Sequence, residues 1–235
     1  MAGARRDDLE ARRAWSSAHG GLSPDSSRWV AGYLTLVHAM ARPFVRGGVS
    51  PSVVTVLGLL LSCLVPLLAW AGDGWPLVAT VVVVLSALVD GVDGTVARMT
   101  DSASALGGVL DALADRLSEL LALLAVLLLG APVWLVVLVG TLTLLHESVR
   151  ATARAAGMTS AGAVTVWERP SRVIFVAFTT GIAGLLWCWG RLGGPTYGVG
   201  PSDVALVGTV VAAVVALAGF AHLLVVVRRA LSAPA

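Results

Sequence analysis

The sequence predicts an all-α, polytopic membrane protein with six transmembrane helices preceded by an amphipathic interfacial helix. Three observations predict it. Hydrophobic residues make up 57% of the 235 and charged residues only 13%, too apolar a balance for a soluble domain with one core. The apolar residues fall into runs near or above the roughly 20 residues needed to cross a hydrocarbon layer. The basic residues, all arginine, gather in the segments between alternate runs, as the positive-inside rule requires of a protein with several crossings.

The elements follow in order. Residues 1–27 are charged and carry Ser, Gly and Pro, which predicts a polar, disordered cytosolic tail; no early apolar segment with a small-residue cleavage site is apparent. Residues 28–46 mix Trp29, Tyr33, Val37, Met40 and Phe44 with Arg28, His38, Arg42 and Arg46, a pattern suited to a helix lying in the interface. Pro51 then opens the first long apolar run, where its missing N–H does no harm. Spans are predicted over about 52–71, 76–98, 103–129, 132–156, 171–190 and 203–227, with a short tail at 230–235. Gly/Pro/Asp connections such as AGDGWP, GAP and GGPTYGVGPSD separate several of them. Asp101 and Ser102 are expected to cap the third span.

Arg5 to Arg46, Arg98 with Arg116, Arg150 to Arg172, and Arg228 with Arg229 all fall on one side of these spans, and Arg191 on the other. That distribution predicts both termini on the cytoplasmic side of a plasma membrane. The chain lacks Lys, Asn and Gln, a bias of GC-rich, bacterial genomes. Cys63 and Cys188 are isolated in apolar runs, which favours packing over a disulfide or metal role.

Within this apolar chain, LVDGVDGTVARMTDSASALGGVLDALADRL carries Asp90, Asp93, Asp111 and Asp115. Carboxylates inside spans are costly and by default mark function. Asp90, Gly94 and Arg98 are spaced i, i+4, i+8, and so are Gly107, Asp111 and Asp115, so each set shares one helical face. Like charges that close raise one another's pKa unless a cation is shared. The expected ligand is a pair of divalent ions, and oxygen-only donors favour Mg²⁺ or Mn²⁺. At 1.5 Å per residue, Asp90 and Asp115 fall on the order of 12 Å inside the cytoplasmic ends of their helices. Gly94 and Gly107 leave room on those faces, and Arg98 suits a phosphate. Together these describe a diphosphate site.

The run Asp90-x2-Asp93-Gly94-x2-Ala97-Arg98-x8-Gly107-x3-Asp111-x3-Asp115 resembles, without departure, the signature of the CDP-alcohol phosphotransferase family. The resemblance implies a six-helix membrane enzyme, acting as a homodimer, that makes phospholipid. It would move a substituted phosphate from a CDP-linked donor, CDP-diacylglycerol first, to an alcohol and release CMP. It further implies that Asp90, Asp93, Asp111 and Asp115 hold two ions and that Asp115 deprotonates the acceptor. Gly94, Arg98, Gly107 and Ser104 would meet the donor. Ser52-Val53-Val54-Thr55 is similar to the family's other CDP-binding element, with Pro51 and Thr55 keeping a Pro-x3-Thr spacing. GVSPSVVTVLG, GGVLDALADR and ERPSRVI resemble actinobacterial phosphatidylinositol phosphate synthases. There an arginine of the last segment binds the acceptor's phosphate, which implies Arg172, with Arg150 standing where the family has a lysine and Arg116 as a third, weaker contact. Inositol phosphate is then the first acceptor and glycerol phosphate or another polyol the second. No nucleic-acid partner is expected.

Other readings stand beside these. Without the signature, the aspartates would leave an ion-coupled transporter as a minority alternative, although the chain shows no convincing internal repeat. The arginines of residues 150–172 could serve only to anchor the chain to anionic lipid. His146-Glu147 lacks the second His of a zinc helix, which favours a buried hydrogen-bonding role. Trp29, Trp70, Trp75, Trp134 and Trp187 fall near span ends, where belt anchoring suffices.

The topology is testable by cysteine labelling in intact cells. Labels in 191–202 should react from outside and labels in 157–170 only after permeabilisation; reaction of both loops from one side would sink the predicted orientation.

Overall fold

The computed structural model describes residues 28–158 and 164–232. The predicted tail at 1–27 lies outside them, as do residues 159–163 and 233–235. The described residues form seven helices: α1 (Arg28–Arg46), α2 (Pro51–Ala71), α3 (Trp75–Met99), α4 (Ala105–Leu128), α5 (Val133–Ala155), α6 (Arg169–Arg191) and α7 (Pro201–Ser232). The class is all-α, as predicted. Five helices, α2, α3, α5, α6 and α7, are long and apolar enough to cross a membrane. The predicted third span, α4, is a helix of 24 residues, but it carries Asp111, Asp115, Arg116 and Glu119, so composition alone does not place it with the others. The last helix runs past its predicted end and takes Arg228 and Arg229 with it.

The start of α4 differs from expectation. Asp101 adopts a left-handed backbone, φ 49°, in the turn after α3, and Ser102 Oγ lies 2.6 Å from Thr100 Oγ1. The cap is Ser104 instead, whose hydroxyl accepts from Gly107 N–H at 3.0 Å. That is the N-cap to N3 bond that satisfies one orphan donor of a first turn. Asp101 and Ser102 end the preceding helix, and Ser104 begins the next.

Compact units divide the chain within α2, α3 and α4. The first holds α1, the start of α2 to Leu59, α3 from Ser86, and α4 to Ala114. Its core is Val37, Ala41, Val54, Val92 and Val96, with Met40, Phe44 and Val89 against it. Helix α1 comes so near α3 that a Cβ on Gly91 would sit 2.3 Å from the Tyr33 hydroxyl. A larger residue there would make the Tyr33 side chain shift, and glycine leaves it room, the small-residue logic of helix packing in lipid. Ser86 Oγ donates to the Gly58 carbonyl at 3.2 Å, tying α3 to α2.

The second unit holds the rest of α2 from Leu60, α3 to Leu85, α4 from Asp115, and α5 to α7. Its core runs from Val65 and Ala79 through Val126, Leu135 and Val139 to Trp167, Ala205 and Ala216. Polar side chains cross it in satisfied pairs: Ser62 to Ser118 at 3.0 Å, Thr80 to Thr180 at 2.8 Å, and Trp167 Nε1 donating to Thr143 Oγ1 at 2.9 Å. Outward faces carry Leu60, Leu67, Val207 and Val214, all exposed, as lipid-facing residues are. Trp70, Trp75 and Trp134 are exposed near helix ends, as anchoring requires.

Gly184 brings α6 against the start of α3: a Cβ there would lie 2.5 Å from Leu77 N and 3.0 Å from its Cα. Backbone atoms cannot give way, so Gly184→Val should cost at least the roughly 1–3 kcal/mol typical of overpacking. Gly32→Ala, whose added Cβ meets nothing within 4 Å, should be neutral or stabilising. Thermal unfolding of the detergent-solubilised variants checks this; equal stability of the two would contradict the close contact.

A candidate metal and diphosphate site

Helix α3 carries Asp90, Asp93, Gly94 and Arg98 along its last turns, and α4 carries Gly107, Asp111 and Asp115 along its first. Asp90, Asp111 and Asp115 are each half-buried, and each offers one carboxylate oxygen, all within 4.8 Å of one another. Anions this close, in surroundings this apolar, repel strongly unless a cation is shared. The donor set is oxygen only, which fits a hard divalent ion such as Mg²⁺ or Mn²⁺ and does not fit zinc's usual thiolate and imidazole set.

Asp93, expected as a fourth ligand, is not one of those three. Its buried carboxylate accepts from Thr55 Oγ1 at 2.6 Å through Oδ2, while Oδ1 faces Gly94 N–H. Thr55 Oγ1 also lies 3.2 Å from the Pro51 carbonyl, one turn back. The Pro-x3-Thr spacing thus puts the threonine hydroxyl on an aspartate of the motif. Ser52 and Val53 beside it are exposed, whereas the Val54 side chain is wholly buried in the core.

The glycines behave as their positions suggest. A Cβ on Gly94 would meet nothing nearer than Arg98 Nη1 at 3.9 Å, so that face is open, and one on Gly107 would meet only the Ser104 hydroxyl, at 3.1 Å. Arg98 is exposed and holds one bond, Nη2 to Thr95 Oγ1 at 3.0 Å. Ser104 is engaged as the cap of α4.

The arginines expected at the acceptor are all held by carboxylates. Arg172 is buried and donates to Glu119 at 2.5 Å, to Glu147 at 2.8 Å and to the Trp167 carbonyl at 3.0 Å. Arg116 reaches Glu119 at 2.7 Å and Glu147 at 3.5 Å. Arg150 grips both oxygens of Glu168, at 2.8 and 2.5 Å, and Nη2 lies 3.3 Å from His146 Nε2. His146 is fully buried, with Thr165 Oγ1 3.2 Å from the same nitrogen, the hydrogen-bonding role read from the sequence. Arg169 pairs directly with Asp115.

Burial works against ionised Glu168, but hydrogen bonds from Arg150 and from the Thr165 amide and hydroxyl outweigh it and hold the carboxyl down at about 2. Sequence reasoning missed Glu119 as a partner. It stands at i+4 from Asp115 and continues the Gly107, Asp111, Asp115 series by one turn, a signal that was available. Arg169's pairing with Asp115 had no counterpart in spacing, because the two residues are 54 apart.

Residues 49–218 match the family model for CDP-alcohol phosphatidyltransferase. This chain belongs to that family. It is 29% identical over 168 residues to the phosphatidylinositol phosphate synthase of Mycolicibacterium smegmatis, covering 66% of this chain and 72% of that one. It is 28% identical over 132 residues to the archaetidylinositol phosphate synthase of Pyrococcus horikoshii, covering 55% and 68%. Among solved structures it is similar to the Mycobacterium tuberculosis phosphatidylinositol phosphate synthase with CDP-DAG bound, with a TM-score of 0.65 at 25% identity over 85% of this chain and 98% of that one. The same enzyme in complex with manganese and citrate gives 0.66 at 26% identity, over 85% and 93%.

Glu168→Gln should destabilise the protein by roughly 1–3 kcal/mol at pH 7, since it leaves a buried guanidinium with a poorer partner. The Glu168 carboxyl sits at about 2, below its unfolded value, so its stabilisation is full above roughly pH 4.5 and fades as pH falls towards 2. The gap between wild type and variant in detergent should therefore close on acidification; a gap that widened below pH 4 would contradict the assignment.

Proposed function

We propose that this chain transfers the phosphatidyl group of CDP-diacylglycerol to a hydroxyl of inositol phosphate, releasing CMP, on the cytoplasmic side of a bacterial plasma membrane. The convergence of Asp90, Asp111 and Asp115 carries the reading, because three carboxylates within 4.8 Å of one another in a chain of this family fit a metal-assisted displacement at a diphosphate. The phosphatidylinositol phosphate synthases among its relatives support the choice of donor and acceptor.

In this reading Asp90, Asp93, Asp111 and Asp115 hold two divalent ions, Mg²⁺ or Mn²⁺. When bound, such ions supply charge neutralisation at a diphosphate and at the departing phosphate. The chain's own groups do the rest. Thr55 fixes Asp93; Gly94 and Gly107 leave backbone open to the nucleotide; Arg98 and Ser104, with Ser52, Val53 and the backbone of Val54, border the donor. Asp115 takes the proton of the acceptor hydroxyl, whose oxygen forms the new bond to the β-phosphorus as the bond to the CMP oxygen breaks. Arg172 and Arg150, with Arg116 as a third cation, face the acceptor's phosphate, where charge-assisted hydrogen bonds discriminate against a free polyol. The active unit is a homodimer with both termini cytoplasmic. Glycerol phosphate is the second acceptor in order. The transporter reading loses its ground with the family match over residues 49–218.

The test is CMP release from CDP-diacylglycerol in vesicles holding the purified chain, across a panel of inositol phosphate, glycerol phosphate, inositol and glycerol. Release should require Mg²⁺ or Mn²⁺ and be fastest with inositol phosphate. Asp115→Asn should lower turnover by about 10²–10⁴-fold, the range for loss of a general base, while retaining CDP-donor binding. Near-normal turnover in Asp115→Asn, or equal rates with inositol and inositol phosphate, would overturn the assignment.

A further inference from the structure

Glu119 and Glu147 join Arg116 and Arg172 in a closed ring of alternating charge. Glu119 gives Oε2 to Arg116 at 2.7 Å and Oε1 to Arg172 at 2.5 Å. Glu147 gives Oε2 to Arg116 at 3.5 Å and Oε1 to Arg172 at 2.8 Å. The four side chains come from three helices, α4, α5 and α6, and two of them are nearly shut off from solvent, Arg172 at 7% and Glu119 at 10% exposed. Each carboxylate spends one oxygen on each arginine, so neither guanidinium can turn without breaking the ring.

We infer that Glu119 and Glu147 are positioning residues for the acceptor, clamping the Arg172 guanidinium in the orientation that meets the acceptor's phosphate; this deepens the function proposed above and rests on it. Two observations favour positioning over simple bracing. The Trp167 carbonyl takes a third Arg172 donor at 3.0 Å, so three acceptors fix one plane. Yet Arg172 Nε is buried without a hydrogen-bond partner. An unmade bond at a buried donor costs about 1–3 kcal/mol, and a side chain placed for stability alone would have satisfied it. The same pattern recurs at Arg150, where Glu168 holds both terminal nitrogens and Nε is again without a partner. Both arginines assigned to the phosphate are thus held at their terminal nitrogens by glutamates at the expense of one donor, as expected where orientation matters more than stability.

The ring also sets the local charge. Two arginines and two glutamates sum to zero, so a phosphate gains from Arg172 through direction, not through a net positive field. Loss of orientation should then weaken acceptor binding even where the variant leaves the ring more positive.

The experiment compares wild type with Glu147→Gln and Glu119→Gln in vesicles, following CMP release with whichever polyol phosphate the wild type uses best. Acceptor KM should rise by about tenfold or more in each variant, with donor KM within about twofold of wild type. Glu147→Asp, which keeps the charge but shortens the reach, should fall between and supplies the comparison if the glutamine variants fail to fold. Acceptor and donor KM both unchanged, both raised together, or an acceptor KM lowered by the extra positive charge would overturn the inference. Wild type inactive with every polyol phosphate would overturn the reaction proposed above and this inference with it. Wild-type activity with an unmoved acceptor KM in the variants would overturn this inference alone.

Discussion

Charge compensation within an apolar setting is the constraint on which the rest of the molecule depends. A bare carboxylate in a span costs a few kcal/mol on insertion scales, and α4 alone carries Asp111, Asp115 and Glu119. Asp115 meets Arg169, and Glu119 meets Arg116 and Arg172. These contacts require α6 to begin where α4 presents its carboxylates, and the Glu168–Arg150 pair holds the segment just before α6 to α5. The polar end of the second unit is therefore organised by electrostatics, and its apolar remainder by packing.

Packing in that remainder depends on what side chains are missing. The starts of α3 and α6 meet at Gly184 and Leu77, and Trp167 lies where a Cβ on Gly219 would be 2.6 Å away. With no hydrophobic force between helices in lipid, close backbone approach and a few satisfied hydroxyl pairs do the work that core burial does in water. Trp167 joins the two regimes. Its ring sits in the apolar core, its indole N–H reaches Thr143, and its carbonyl accepts from Arg172. In the first unit the Thr55–Asp93 bond plays a comparable part, since it links the beginning of α2 to the acidic turns of α3.

For a transferase of this family, rigidity around the carboxylates has a direct use. Displacement at phosphorus gains most from reactants and charges held in place before reaction. Helices supply that rigidity better than loops, and the half-burial of Asp90, Asp111 and Asp115 limits competing water. The face at Gly94 is open and Arg98 is exposed, so that side of α3 is accessible.

The sequence by itself determined the membrane class, the helix positions and the carboxylate cluster, because each is written in local periodicity. Apolar runs set the helices, arginine segments punctuate them, and i, i+4 spacing aligns Asp111 with Asp115. Even there it misjudged the cap of α4, since Asp101, Ser102 and Ser104 are all good capping types and only backbone geometry chooses Ser104. What tertiary structure alone decided is which charge answers which. Asp93 accepts from Thr55, Arg169 pairs with Asp115, and Glu119 with Glu147 closes a ring around two arginines. Apart from Arg116 and Glu119, which are three residues apart on one helix, those partners lie between 25 and 54 residues apart, and no local pattern carries that information. Side chains with several eligible counter-charges take the one that helix packing brings within hydrogen-bonding distance.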